Sequence, residues 1–131
     1  NHRFALYDMI MLKDNHVDYA GGIRPAIENS NAYLKATGKD LKIEIEVRNE
    51  DELAQVIAVG QVDRIMLDNF SPERIVESLK TIPDSYEVEA SGGITIETIR
   101  SYAETGVDFI SVGALTHSFE SLDMSLKAVY D

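Results

Sequence analysis

The sequence predicts an α/β fold, part of a (β/α) TIM-like barrel of about five βα units. Three observations predict it. Short apolar runs of strand length alternate with segments of helical periodicity. The strands run into polar clusters, as in a parallel sheet with working groups at its C-terminal edge. Two glycine turns, Ser91-Gly92-Gly93 and Ser111-Val112-Gly113-Ala114, follow consecutive strands. In (β/α)-barrels the loops after the last two strands jointly bind phosphate. No Gly-rich dinucleotide fingerprint follows the first strand, so a barrel is preferred over a doubly wound sheet.

The elements follow in order. Leu6 to Leu12 reads as a buried strand, with Lys13-Asp14-Asn15-His16 as the polar cluster at its end. Gly21 and Gly22 break the chain. Pro25 suits the first turn of a helix carried by Ala26, Ile27, Ala32, Tyr33 and Leu34, and Gly38 stops it. Lys42 to Val47 alternates, with Ile43, Ile45 and Val47 on one face and Glu44 and Glu46 on the other. Asn49 is the expected N-cap of a helix through Val59, with Asp51 and Glu52 in its first turn. Arg64 to Leu67 is a strand ending at Asp68-Asn69. Ser71 caps the next helix, Pro72 opens it, and Ile75, Val76 and Leu79 form its apolar face. Tyr86 to Ser91 is a strand, Thr95 to Thr105 a helix stopped by Gly106, and Asp108 to Val112 the last clear strand. The amphipathic tail after His117 receives no assignment.

With 131 residues and 44% hydrophobic residues, the chain suits one domain with a real core. No apolar run approaches the roughly 18 residues of a membrane span. The net charge of −11, from 12 Lys and Arg against 23 Asp and Glu, argues against a nucleic-acid surface. It leaves room for an anionic small ligand in a locally positive pocket. The absence of cysteine and of a signal-peptide pattern makes a cytoplasmic location the expectation. The start at Asn1, without Met, makes a C-terminal piece of something longer the expectation.

The Gly92-Gly93 pair brings backbone N–H groups within reach of a ligand. A helix starting at Thr95 would add unpaired N–H groups and partial positive charge, together an anion site. Glu46 and Asp68 end their strands and face the expected mouth, where they could assist Mg²⁺ through water and substrate phosphates. Glu44 and Glu87 are expected to face solvent or to pair structurally. Glu89 lies deeper, and Lys13 is its candidate partner. His2 and His117 adjoin strand ends and read as functional, whereas His16 divides evenly between a loop role and a site role. Arg24, Arg48, Arg64, Arg74 and Arg100 read as solvated charges. No cysteine exists and no serine sits in a nucleophile elbow, so covalent catalysis is not expected.

Six stretches in order resemble one family. They are Asn1-His2-Arg3 with Leu6-Tyr7-Asp8, Lys13-Asp14-Asn15-His16, Ile45-Glu46-Val47, Met66-Leu67-Asp68-Asn69, Glu89-Ala90-Ser91-Gly92-Gly93-Ile94, and Ser111 through Ser118. Together they resemble the C-terminal barrel domain of quinolinate phosphoribosyltransferase, over residues 1 to about 127. The resemblance implies an enzyme that joins quinolinate to phosphoribosyl pyrophosphate (PRPP). It gives nicotinate mononucleotide, pyrophosphate and CO₂ in NAD synthesis, with Mg²⁺ as cofactor and a homodimer or an assembly of dimers as the working form. It implies catalytic roles for Lys13, Glu46 and Asp68. His2, Arg3 and Lys13 would bind quinolinate. Glu46, Asp68, Ser91, Gly92, Gly93, Gly113 and His117 would bind PRPP, and Glu46 and Asp68 would attend the metal, directly or through water. Family members carry an N-terminal sandwich domain and a first barrel strand ahead of the part matched here. The 131 residues are therefore expected to hold half a site and to be inactive alone.

Three alternatives are weighed. Another phosphate-binding barrel enzyme, such as a phosphosugar isomerase or synthase, explains both glycine turns but not His2-Arg3 with Lys13 to His16. A molybdenum-transport-associated paralogue shares the scaffold, and quinolinate binding separates the two. A non-catalytic domain that binds a phosphometabolite suits the fragment better than the parent protein.

Overall fold

The computed structural model describes residues 9–112 and 124–127. The chain forms two compact units, Asn1–Ile65 and Met66–Asp131. The strand order is the chain order, β1 to β6.

In the first unit, β1 (Met9–Leu12) leads into α1 (Asp14–Ala20) and α2 (Ile23–Thr37), followed by β2 (Lys42–Val47) and α3 (Glu50–Val59). β1 and β2 pair in parallel, with Ile10 opposite Ile43 and Leu12 opposite Ile45. Ile27, Ile43, Ile45, Val47 and Val56 are fully buried. The polar cluster after β1 is helical, where a loop was expected. Asp14 sits in the first turn of α1, and Gly21 ends it in the left-handed region at φ +96, donating to the Asp18 carbonyl. Asn49 caps α3 as predicted, its side chain accepting from the Glu52 N–H at 2.9 Å.

β3 (Arg64–Asp68) is followed in the second unit by α4 (Pro72–Leu79), β4 (Glu87–Ser91), α5 (Ile99–Ala103), β5 (Phe109–Val112) and β6 (Met124–Lys127). β4 and β5 pair in parallel, and β5 and β6 pair antiparallel with Val112 opposite Met124. The tail left unassigned by the sequence thus contributes an antiparallel strand. Ser71 caps α4 by accepting from the Arg74 N–H, and Pro72 opens the helix, both as predicted. Val76 is 43% exposed and does not belong to the apolar face, which Ile75 carries with Ser78 and the half-buried Leu79. One residue along a helix is a turn of about 100°, enough to carry Val76 off the buried stripe.

One further expectation fails and one is narrowed, each for a physical reason. The helix predicted over Thr95 to Thr105 is confined to Ile99–Ala103. The Thr98 hydroxyl takes the Thr95 N–H at 3.0 Å, so a side chain competes for a backbone group that a helix would otherwise leave open. Of the two roles expected for Glu44, facing solvent is excluded and structural pairing stands: it is 3% exposed, because β2 is covered on both faces between its ends. Glu89 is 2% exposed, and its carboxylate accepts a hydrogen bond from the Ser111 hydroxyl.

One device occurs in both units. The Asp63 carboxylate accepts from the Ile43 N–H at 2.8 Å, while the Asp63 N–H donates to the Ile43 carbonyl at 2.9 Å. Asp108 and Val88 repeat this reciprocal pairing at 2.9 Å in both directions. Each aspartate immediately precedes a strand and binds the second residue of the strand before it.

Candidate functional site

The strand ends of the first unit hold a charged cluster. Lys13 ends β1 as the exposed N-cap of α1, and its backbone N–H donates to Nδ1 of His16 at 3.3 Å. His16 therefore serves the local backbone. Glu46, half-buried near the end of β2, accepts the Asp14 N–H on Oε1 at 3.4 Å. Arg48 is not a plain solvated charge. Its guanidinium lies 2.6 Å from Glu52 and 3.6 Å from the Asp14 carboxylate. The hydrogen bond to Arg48, ahead of burial and charge, holds the Glu52 carboxyl below its ordinary value. The same bond raises the Arg48 guanidinium.

The strand ends of the second unit are built from backbone. Asp68 closes β3, half-buried, and accepts from Nδ2 of Asn69 at 3.3 Å. Asn69 then turns into the left-handed region at φ +60 and donates its N–H to the Ser91 carbonyl at 2.8 Å. Gly92 and Gly93 follow β4 at φ +91 and +68. Gly92 is required twice, for its φ and for space. A Cβ there would lie 2.7 Å from Oδ1 and 2.8 Å from the backbone N of Asn69. At Gly93 only the φ matters, since the nearest atom to a Cβ is 3.8 Å away. The helix terminus expected behind this pair is absent, because α5 starts only at Ile99. An anion at this turn would therefore meet only the glycine amides and the Ser91 side chain.

The predicted residues thus fall into two groups, Lys13 and Glu46 in the first unit and Asp68, Ser91, Gly92 and Gly93 in the second. His2, Arg3, Gly113 and His117 lie outside the described residues. The sequence reading missed Asp14, Arg48 and Asn69 as supports. Asn69 carried a signal, since asparagine after a strand end tolerates the left-handed region. The Arg48 to Asp14 pairing carried none, because the two are distant in sequence. Among the described residues no group of three or more His, Asp or Glu side chains is placed to hold a metal ion. Glu46 and Asp68, in separate units, are each a hard oxygen donor of the kind a magnesium ion takes directly or through water.

Fold and strand ends together define a parallel α/β domain with acids and a glycine turn at the C-terminal ends of its strands. The chain belongs to the quinolinate phosphoribosyl transferase C-terminal domain family, whose model matches residues 1–127. It is 44% identical to the probable nicotinate-nucleotide pyrophosphorylase [carboxylating] of Bacillus subtilis, over 96% of this chain and 42% of that protein. It is 39% identical to the chloroplastic nicotinate-nucleotide pyrophosphorylase [carboxylating] of Arabidopsis thaliana, over 97% of this chain and 40% of that one. In structure it is similar to the nicotinate-nucleotide pyrophosphorylase from Francisella tularensis, with a TM-score of 0.75 at 40% identity over 90% of this chain and 40% of that chain. NadC from Streptococcus pyogenes gives the same TM-score and identity, over 96% of this chain and 43% of its own. The chain spans about two fifths of the length of these relatives. Among the described residues no helix is long and apolar enough to cross a membrane.

Proposed function

We propose that this chain is the C-terminal part of an enzyme that transfers phosphoribosyl from PRPP to quinolinate with decarboxylation, giving nicotinate mononucleotide, pyrophosphate and CO₂. The observation that carries the reading is the Ser91-Gly92-Gly93 turn locked to Asn69, a backbone cradle of the kind that suits a 5′-phosphate. The names of the relatives support the same reaction. Closure into a barrel, dimeric assembly and a cytoplasmic location belong to this reading through the family resemblance.

The chemistry follows from charge. The quinolinate nitrogen attacks C1′ of the ribose as pyrophosphate leaves with the bonding electrons, and positive charge develops on the sugar. Glu46 and Asp68 are assigned to the ribose hydroxyls and to that charge. Lys13 neutralises a quinolinate carboxylate or the departing pyrophosphate. Ser91, Gly92 and Gly93, with Gly113 and His117, hold the 5′-phosphate, and His2 and Arg3 take quinolinate. Glu46 and Asp68 would attend Mg²⁺ directly or through water, and the ion would supply charge neutralisation of the diphosphate leaving group. The electron pair of the C–CO₂ bond then stays on the ring carbon, stabilised by the positive charge of the adjacent quaternary nitrogen, as CO₂ departs, and that carbon takes a proton. Positioning and charge suffice, with no protein nucleophile.

Calorimetric titration of the chain with PRPP and Mg²⁺ tests this. The expected result is binding that disappears in Gly93→Asp, a change that adds negative charge where the nearest atom to a Cβ is 3.8 Å away and aspartate bears the left-handed backbone with less strain than most residues. If PRPP does not bind and the full-length protein also releases no CO₂ from carboxyl-labelled quinolinate, the reading is wrong.

A further inference from the structure

We propose that Asn69 is a positioning residue, which holds the Asp68 carboxylate with its side-chain amide, ties the Ser91–Gly93 turn through its backbone N–H and packs its Oδ1 beside Gly92. The role it is given rests on the phosphoribosyl-transfer reading above. Four observations within the second unit converge on it. Asn69 adopts φ +60, one of two non-glycine residues with positive φ among the described residues, the other being Gln61. A strained backbone of this kind persists only where its surroundings hold it. Its N–H donates to the Ser91 carbonyl at 2.8 Å, tying the residue after β3 to the last residue of β4. Its Nδ2 donates to Asp68 Oδ2 at 3.3 Å. Its Oδ1 and Cγ fill the space where a Cβ on Gly92 would stand, at 2.7 and 2.9 Å.

One residue, through its backbone and its side chain, therefore sets two groups of different chemistry. It orients a carboxylate suited to ribose hydroxyls, and it shapes a backbone cradle suited to a phosphate. These are the two ends of a phosphoribosyl group. Asn69 touches neither ligand in this scheme, so its effect is felt through Asp68 and Gly92. It should appear in the affinity for the phosphoribosyl donor and not in that for the aromatic acid.

The test separates this role from simple tolerance of a left-handed backbone. Asn69→Gly keeps the φ and removes the amide. Asn69→Asp keeps shape and left-handed tolerance but places an oxygen where a donor faced Asp68. A backbone role alone leaves Asn69→Gly like wild type, so that variant decides, since the added charge of Asn69→Asp weakens PRPP under either role. Positioning predicts that both bind PRPP with Mg²⁺ roughly tenfold more weakly, the equivalent of one charge-assisted hydrogen bond. In the full-length enzyme the KM for PRPP should rise and that for quinolinate stay within about twofold, since the lost interaction serves only one substrate.

A ligand-free arm checks the clamp itself. Gly92→Ala should lower the thermal midpoint less in the Asn69→Gly background than in wild type, because the clash with Oδ1 and Cγ is gone. Additive losses of stability, or unchanged PRPP affinity in the Asn69→Gly variant of a PRPP-binding wild type, overturn the proposal. A full-length wild type that neither binds PRPP nor releases CO₂ from quinolinate overturns the reading of the reaction and the role of Asn69 with it. Stability coupling would then still report whether the clamp exists.

Discussion

The two units place similar scaffolds under different strand ends. At the N-terminal ends of the strands they are near copies, with Asp63 bound reciprocally to Ile43 and Asp108 to Val88. At the C-terminal ends they diverge. The first unit assembles long charged side chains, Glu46, Arg48 and Glu52, around Asp14. The second bends its backbone through Asn69, Gly92 and Gly93. Side chains suit a sugar hydroxyl or a carboxylate, whereas backbone amides suit a phosphate oxygen. The difference fits a division of labour in parallel α/β folds, in which one edge of the sheet maintains the fold and the other carries the chemistry.

The repeated aspartates offer the largest effect by which to break that comparison. Asp63→Ala and Asp108→Ala each remove a charged acceptor from the N–H of a buried strand residue, at a cost of about 2 kcal/mol. The Asp108 variant should lose more, because Asp108 is half-buried and water cannot replace it as readily as at the exposed Asp63. Denaturant unfolding of both variants, with Asn replacements that retain an acceptor, measures this. Losses confined to one unit would show that the resemblance of the two is geometric and not energetic.

Helix caps give a smaller and more even pair. Asn49→Ala in the first unit and Ser71→Ala in the second should each cost about 1 kcal/mol by the same method. The two caps accept from the third residue on, Glu52 and Arg74, at 2.9 and 3.2 Å. Asn49 also stands before three acids, Glu50, Asp51 and Glu52, in the first turn of α3. Its loss should therefore be partly compensated by their favourable placement at a helix N-terminus. A cost for Asn49→Ala clearly above that for Ser71→Ala would reverse this ordering.

Local signals were the legible part. Asn49, Ser71 with Pro72, and Gly38 announce helix ends through residues within a turn of the boundary, and the apolar runs announce β2, β3, β4 and β5. What stayed hidden depends on partners far along the chain. Ile43 with Asp63 and Arg48 with Asp14 come together only on folding. Thr98 is a different failure, because its hydroxyl competes with the backbone at short range and helical periodicity does not register that. In the candidate site the glycines were visible, while the reason Gly92 must be glycine was not, since Asn69 supplies it from another strand end.

The smallest expected effect concerns the ion pair that distinguishes the first unit. Glu52 is held below its ordinary pKa by its hydrogen bond to Arg48. A carboxyl lowered in the folded state contributes stability above its unfolded pKa, about 4.3, and loses that contribution as pH falls through the folded value. Arg48→Ala should therefore lower the thermal midpoint slightly near neutral pH, and the gap to wild type should close as the pH drops below about 4. The guanidinium side chain is 41% exposed, so the gap should also shrink in high salt. Thermal scans of both proteins from neutral to acidic pH, at two salt concentrations, read this directly. A gap that persists in acid would mean that Arg48 acts through the packing of its methylene stem, and charge pairing would no longer separate the strand ends of the two units.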